Sequence, residues 1–240
     1  MPPPPPPPEG GIPAPFADRQ GRGFFGALFQ TWKLVAIEPQ KFFTHVRIQV
    51  GSAILFGVLL AWLGNAIGGL LTLGLRLSSL GEVERSLSGL PPEQAEHFRE
   101  LMEKVAVFMT PRFAIGSIIA SPLGTLVYMF VVAGVVHLLL MMFRGARRGF
   151  EATLLVVAYS CGLHLFNAVP EIGPLVGLVW QVVVLVIGLA AIHRTSTGKS
   201  AAAVLVPGVL CCCCVCLGLV GAFVSIVSAI GGAAGGTSNL

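Results

Sequence analysis

Charged side chains are scarce in this 240-residue chain. Asp, Glu, Lys and Arg make up 11% of it, whereas about 25% is usual in a soluble domain. The 15 basic and 11 acidic residues leave a net charge of +4, which is too small and too dispersed for a nucleic-acid-binding protein. Hydrophobic residues account for 55% of the chain and the mean hydropathy is +0.84. This composition excludes a disordered chain and an ordinary soluble domain, because too few polar residues remain to cover a core.

Five long stretches contain no Asp, Glu, Lys or Arg at all. A helix needs about 20 apolar residues to cross a hydrocarbon core about 30 Å thick. None of the stretches alternates with a period of two, as barrel strands would. The sequence therefore predicts an all-α polytopic membrane protein, with an outer loop over 76–112 and a Gly-rich tail over 231–240. The five predicted transmembrane helices, which form the domain 48–230, are 48–75, 113–143, 152–169, 172–192 and 201–230.

The third stretch is the least apolar of the five, since it contains Tyr159, Ser160, His164 and Asn167. The break around Pro170 leads directly into the fourth stretch. We expect a helical hairpin here, and the alternative is a re-entrant loop buried in protein.

The basic residues predict the orientation of the chain in the membrane. Ten of them fall before the first stretch, between the second and third, or between the fourth and fifth. The outer loop 76–112 holds the other five, together with six Glu. We therefore expect a bacterial inner-membrane protein whose N-terminus is cytoplasmic and whose C-terminus is outside.

Two different segments precede the first predicted span. Residues 1–22 are proline-rich and are predicted to be disordered, with Pro2–Pro8 as an extended stalk. Residues 23–47 place large apolar side chains at helical spacing, which is typical of an amphipathic helix lying in the membrane surface. That face either sets the depth of the first span or binds a protein partner, and the residues that form it are Phe24, Phe25, Phe29 and Trp32, with Leu28 and Val35.

Several residues could suggest chemistry. Cys211–Cys214 and Cys216 have metal-ligand spacings, but they lie inside a predicted span, where burial disfavours thiolates, so we interpret them as packing residues. The remaining polar residues of the spans are expected to form hydrogen bonds between helices; they are Asn65, His137, Tyr159, His164, Asn167 and Gln181. We find no catalytic constellation and expect no catalytic residue, metal or cofactor.

Small residues recur every fourth position, which lets helix backbones approach closely. The row on the second predicted span is expected to face another helix, and self-association into a homo-oligomer stays open. The rows are Gly116/Ala120/Gly124, Gly57/Ala61, Gly64/Gly68 and Gly173/Gly177.

A set of diffuse motifs resembles the Yip-one (Ypt-interacting) domain family of five-span membrane proteins, in a bacterial-type version. One departure is the Cys161-Gly162-Leu163 sequence, where family members often have a proline. The resemblance implies the same five-span plan with a cytoplasmic N-terminus. Its eukaryotic members are similar to adaptors that engage Rab-type GTPases, a partner that bacteria lack. The motifs are Pro39 with Phe42–Phe43, Tyr159-Ser160, Pro170, Gly173, Gly188-Leu189, His193, Gly198-Lys199, Ala201 and Pro207.

The sequence thus predicts a non-enzymatic membrane scaffold or adaptor. Its expected partners are membrane lipids and an unknown protein at the cytoplasmic N-terminus, and no nucleic acid. The alternative is a small-solute or lipid transporter subunit in which Asn65, His137, His164 and Asn167 line a path.

Overall fold

The structure, a computed structural model, describes residues 11–19, 21, 23–88, 96 and 110–210. Within these residues every extended regular element is a helix. The elements are α1 (Gly23–Ile37), α2 (Pro39–His45), α3 (Val50–Ser88), α4 (Pro111–Met142), α5 (Phe150–Ser160), a 3₁₀ segment (Cys161–Ala168), α6 (Ile172–His193) and α7 (Thr197–Leu210).

Four helices are long and apolar enough to cross a membrane. They are Val50–Leu75 within α3, α4, the combined segment Phe150–Ala168, and α6. The all-helical membrane class and the first four predicted spans are confirmed, with boundaries that differ by a few residues. The fifth, 201–230, is described only as far as Leu210; its remainder and the tail 231–240 lie outside the described residues. We call the end of the bundle where α3 begins and α6 ends the basal end.

The third span is the central element of the bundle. In an 18-residue apolar stretch of Phe150–Ala168, 67% of the residues are buried, whereas the share in α4 is 28%. The eleven residues of α5 and the eight of the 3₁₀ segment together reach about 32 Å, because a 3₁₀ helix rises about 2.0 Å per residue instead of 1.5 Å. The segment is therefore as long as a hydrocarbon core, which favours the helical hairpin with α6 over a re-entrant loop. Its burial explains how it tolerates polar side chains.

Glycines let α3 approach this central segment closely. A Cβ at Gly57, Gly64 or Gly68 would collide with the backbone carbonyl oxygens of Ala158, His164 and Asn167, respectively. Gly173 of α6 is equally close to the Phe166 carbonyl oxygen. The predicted close packing is confirmed for these glycines of the first and fourth spans.

The predicted packing of the row on the second span is wrong. Among the described residues, no atom lies within 4 Å of a Cβ added at Gly116 or Gly124, and Ala120 is exposed. The helix turns the opposite face into the bundle, through Thr125, Met129, Ala133, Val136 and Leu140. Spacing shows that a row allows close approach, but it does not show which face has a helix beside it.

The predicted disorder of residues 1–22 is wrong for residues 11–19. Ile12 pairs with Val46 in an isolated bridge: its N–H donates to His45 at 2.7 Å. Phe16 is 1% exposed, and its N–H donates to the Thr31 Oγ1 atom at 2.8 Å. The apolar side chains that follow the prolines bury against the helices, which offsets the entropy lost on ordering. Residues 1–10 lie outside the described part of the chain.

The predicted outer loop 76–112 begins too early. Helix α3 continues to Ser88, and no proline interrupts it. At the other end of the loop, Pro111 occupies the first turn of α4, and the Thr110 side chain accepts a hydrogen bond from the Phe113 N–H at 3.2 Å. This cap and the proline explain why α4 starts there. Between the two helices, only Glu96 is described before residue 110.

Candidate partner and membrane-surface site

The predicted partner face lies on α1. Phe25 is 80% exposed and Phe29 is 64% exposed, whereas Phe24 is 38% exposed and Trp32 is half-buried. The Phe24 ring packs edge-on against the rings of Phe25 and Phe16, at 5.3 and 5.8 Å. Phe25 and Phe29 therefore form the accessible part of the face.

The neighbouring side of α1 packs against the protein. Its buried residues include Leu28, Thr31 and Val35, so the six apolar residues predicted to share one face divide between two sides. The helix is held by one apolar side and exposes another. Whether it lies in the plane of the membrane surface stays a prediction.

Two aromatic contacts join α1 to the transmembrane bundle. The indole N–H of Trp180 in α6 donates to the carbonyl oxygen of Ala36 at 2.9 Å. Trp32 packs edge-on against Phe166 of the 3₁₀ segment, with ring centroids 5.9 Å apart. Sequence analysis missed Trp180; the signal was an indole in an apolar span, where the N–H needs an acceptor.

Helix α2 packs around Tyr159, a fully buried residue of α5. The Tyr159 ring centroid lies 5.0 Å from Phe42, 6.5 Å from Phe43 and 5.3 Å from Phe56 of α3. Gly188 leaves room for the Phe43 ring, because a Cβ there would lie 2.8 Å from it. Tyr159, which was predicted to bond between helices, lies at the centre of this aromatic cluster.

A cleft of about 390 Å³ lies between residues 12–18 and the helices α1 and α2. Its lining is mainly apolar, and its ionisable members are Asp18, Lys41 and His45. Lys41 also donates to the Glu38 Oε2 atom at 2.9 Å, and this hydrogen bond and the ammonium charge lower the pKa of the exposed Glu38 carboxyl. The cleft therefore presents apolar surface beside fixed charges.

Thr153 links two histidines across three helices. The Arg148 N–H donates to His193 Nδ1 at 3.1 Å, so a neutral His193 carries its proton on Nε2. That nitrogen lies 2.9 Å from Thr153 Oγ1, which lies 2.8 Å from His137 Nδ1. The pattern makes His193 the donor to the hydroxyl, and the hydroxyl the donor to His137. This chain joins α4, α5 and α6 near the basal end.

Two further pairs join the spans closer to their other ends. Asn167 donates to Asn65 at 2.8 Å, and His164 Nε2 lies 3.1 Å from Gln181 Oε1. The prediction that polar residues of the spans bond between helices is confirmed for both pairs and for His137. These side chains explain how the helices recognise one another in a bundle.

The described residues contain no group of three or more His, Cys, Asp or Glu side chains placed to hold a metal ion. Cys161 is buried. Cys211–Cys214 and Cys216 lie outside the described residues, so their interpretation as packing residues stays a prediction.

The comparisons with known proteins agree with this helical architecture. The Yip1 domain matches residues 32–220, a range that includes Trp32, α2 and all four described spans but begins after Phe29. Comparison with curated proteins and with solved structures finds no match. Because the domain match covers most of a chain with several membrane-spanning helices, this integral membrane protein belongs to the Yip1 domain family.

Proposed function

We propose that the protein is a non-enzymatic scaffold or adaptor of the bacterial inner membrane, with a cytoplasmic N-terminus and an external C-terminus. A partner protein binds α1 through Phe25 and Phe29. One observation carries this proposal: α1 is attached to the bundle by its buried side and by the Trp180–Ala36 bond, yet it exposes both phenylalanines.

The neighbourhood of α1 supports a protein partner. Large aromatic side chains are frequent anchors of protein interfaces, especially where a pocket and charges lie close by. The cleft beside α1 and α2 supplies both, through its apolar lining and through Asp18 and Lys41. Membrane lipids surround the spans, and the partner protein binds on the cytoplasmic side.

The polar side chains of the spans support a structural role over transport. Asn65 and Asn167 bond to each other, as do His164 and Gln181, so each pair already uses hydrogen-bonding groups that a substrate path needs. The transporter alternative requires the same residues to face a solute. Their pairing favours the adaptor.

Site-specific photocrosslinking in native membranes tests the adaptor. A benzophenone amino acid replaces Phe25 or Phe29, and the matched control replaces Leu123 of α4, which is 67% exposed. We expect a protein adduct of the same mass from positions 25 and 29, and only lipid adducts from position 123. Lipid adducts alone at all three positions contradict the proposal.

Solute flux in proteoliposomes tests the alternative. A transporter loses flux after His164→Leu or Asn167→Leu and keeps it after Phe25→Gln with Phe29→Gln. The adaptor shows no flux in any of these variants and loses its crosslinked partner only after the phenylalanine changes. The two mutational patterns are opposite, so the experiment separates the functions.

A further inference from the structure

The exposure of α6 changes sharply along its length. Apolar side chains are exposed from Ile172 to Trp180, but between Gln181 and His193 no residue is exposed. Helix α2 packs along this second part, with Phe43 against Gly188. We call α1 and α2 together, residues 23–45, the N-terminal unit. It covers a part of α6 that acyl chains would otherwise contact.

The N-terminal unit reaches the middle of the bundle in depth. At about 1.5 Å per residue, Trp180 lies about 20 Å above the basal end of α6 and Gly188 about 8 Å above it. Ala36 contacts Trp180, and Phe43 contacts Gly188. Glu38 lies between these two levels, close to the midplane of a hydrocarbon core about 30 Å thick.

The outer surface of the N-terminal unit is charged at that depth. Glu38 and Lys41 form an ion pair at 2.9 Å, with 44% and 72% of their side chains exposed. Lys33 and Gln40 are exposed as well. Charged groups in acyl chains are costly. A lysine extends its ammonium group several ångströms along its apolar stem, but the shorter Glu38 side chain has no such reach, so its carboxylate stays charged only where water reaches it.

We propose that the N-terminal unit thins the membrane locally: phospholipid headgroups and water of the basal leaflet sink to the level of Glu38. Acyl chains then contact α6 only over Ile172–Trp180. A groove of about 350 Å³ lies in this region, lined by Phe166, Leu175, Val176, Val179 and Trp180. The inference goes beyond the adaptor role and does not depend on it.

Cysteine accessibility tests the thinning. The full chain, with its six native cysteines replaced by Ala, receives one cysteine in place of Gln40, Val131 or Arg147, and open membrane sheets are treated with a water-soluble maleimide. Val131 is 58% exposed on α4, at about the same distance from the basal end as Glu38 by helix rise. Arg147 is exposed in the loop after α4 and serves as the aqueous reference.

The expected labelling order is specific to local thinning. Because a maleimide needs a hydrated thiolate, we expect Gln40→Cys to react within about tenfold of the Arg147→Cys rate, and Val131→Cys at least about 100-fold more slowly. Slow labelling of both Gln40→Cys and Val131→Cys overturns the proposal, since the unit then lies in hydrocarbon. Fast labelling of both also overturns it, because the whole basal half then protrudes from the membrane.

A second variant keeps the native cysteines, in case their replacement disturbs folding. Glu38→Leu removes the carboxylate at the level to which the headgroups are proposed to sink, and thermal unfolding is followed in reconstituted bilayers. In a hydrated layer, the midpoint stays the same or falls slightly as the ion pair is lost. A clear rise in the midpoint indicates contact with acyl chains and overturns the proposal.

Discussion

Trp180 and Ala36 are 144 residues apart in sequence, yet the indole N–H of one donates to the carbonyl oxygen of the other at 2.9 Å. Ala36 is the penultimate residue of α1, where carbonyl groups lack partners within the helix. The bond therefore satisfies the end of α1 and the N–H group of an indole that is 39% exposed, and it helps to determine where α1 docks on the bundle.

Loss of this bond should loosen α1 without unfolding the spans. Trp180→Phe keeps an aromatic ring but removes the donor, at a cost of about 1 kcal/mol for a typical hydrogen bond. We expect amide hydrogen exchange in α1 to become about fivefold faster, the factor that corresponds to this energy. Trp62→Phe, at a 39% exposed indole of α3, is the control. Equal exchange in both variants contradicts the assigned role of the bond.

Close packing between α3 and the 3₁₀ segment predicts a position-specific effect of added methyl groups. Gly68→Ala places a Cβ against the backbone oxygen of Asn167, which cannot rotate away. Overpacking of this kind costs about 1–3 kcal/mol, so the melting temperature in detergent should fall. Gly124→Ala should not lower it, because Gly124 is exposed and no atom of the described residues lies within 4 Å of the added Cβ. A fall in the control and none in Gly68→Ala would reverse the packing assignment.

The hydroxyl group of Thr153 should contribute more to the stability of the bundle than its methyl group does. Thr153→Val leaves the imidazoles of His137 and His193 without their shared partner, and unpaired buried polar groups cost about 1–3 kcal/mol. Thr153→Ser retains the hydroxyl and should lose less stability. Unfolding in detergent measures both variants, and a larger loss in Thr153→Ser than in Thr153→Val would show that the methyl group, and not the hydrogen bonds, is the important feature.

Reporter fusions test the proposed orientation and the fifth span. Fusions after Gly145 and Gly198 should report the cytoplasm, because basic residues surround both sites. A fusion after Leu240 should report the outside, since the predicted fifth span, 201–230, would carry the chain across the membrane once more. A cytoplasmic signal from the C-terminal fusion would exclude a five-span chain with this orientation.

Some features of the fold were predictable because one physical rule dominates them. The fourth span was predicted at 172–192 and observed at Ile172–His193, since a charge-free run between two breaks leaves little choice. The docking of Ile12 and Phe16 was missed because the preceding prolines indicate disorder, and two apolar side chains produce no periodic signal. The Gly116 row was wrongly assigned because its spacing is the same as that of Gly64 and Gly68, and only three-dimensional packing distinguishes them.

The candidate site was predictable only in part. Four aromatic residues on α1 could be named from their spacing, but their division into exposed Phe25 and Phe29 and half-buried Trp32 depends on what packs beside the helix. In the bundle, Trp32 contacts Phe166 and Ala36 contacts Trp180, and these partners lie 134 and 144 residues further along the sequence. No local pattern encodes contacts over such separations.

The 3₁₀ winding of Cys161–Ala168 has a consequence for sequence change. Three residues complete one turn, so Cys161, His164 and Asn167 form a single column, and each later residue is rotated by about 120°. One residue inserted before His164 would turn His164 away from Gln181 and Asn167 away from Asn65 at the same time. This part of the chain should therefore tolerate substitutions far better than insertions or deletions.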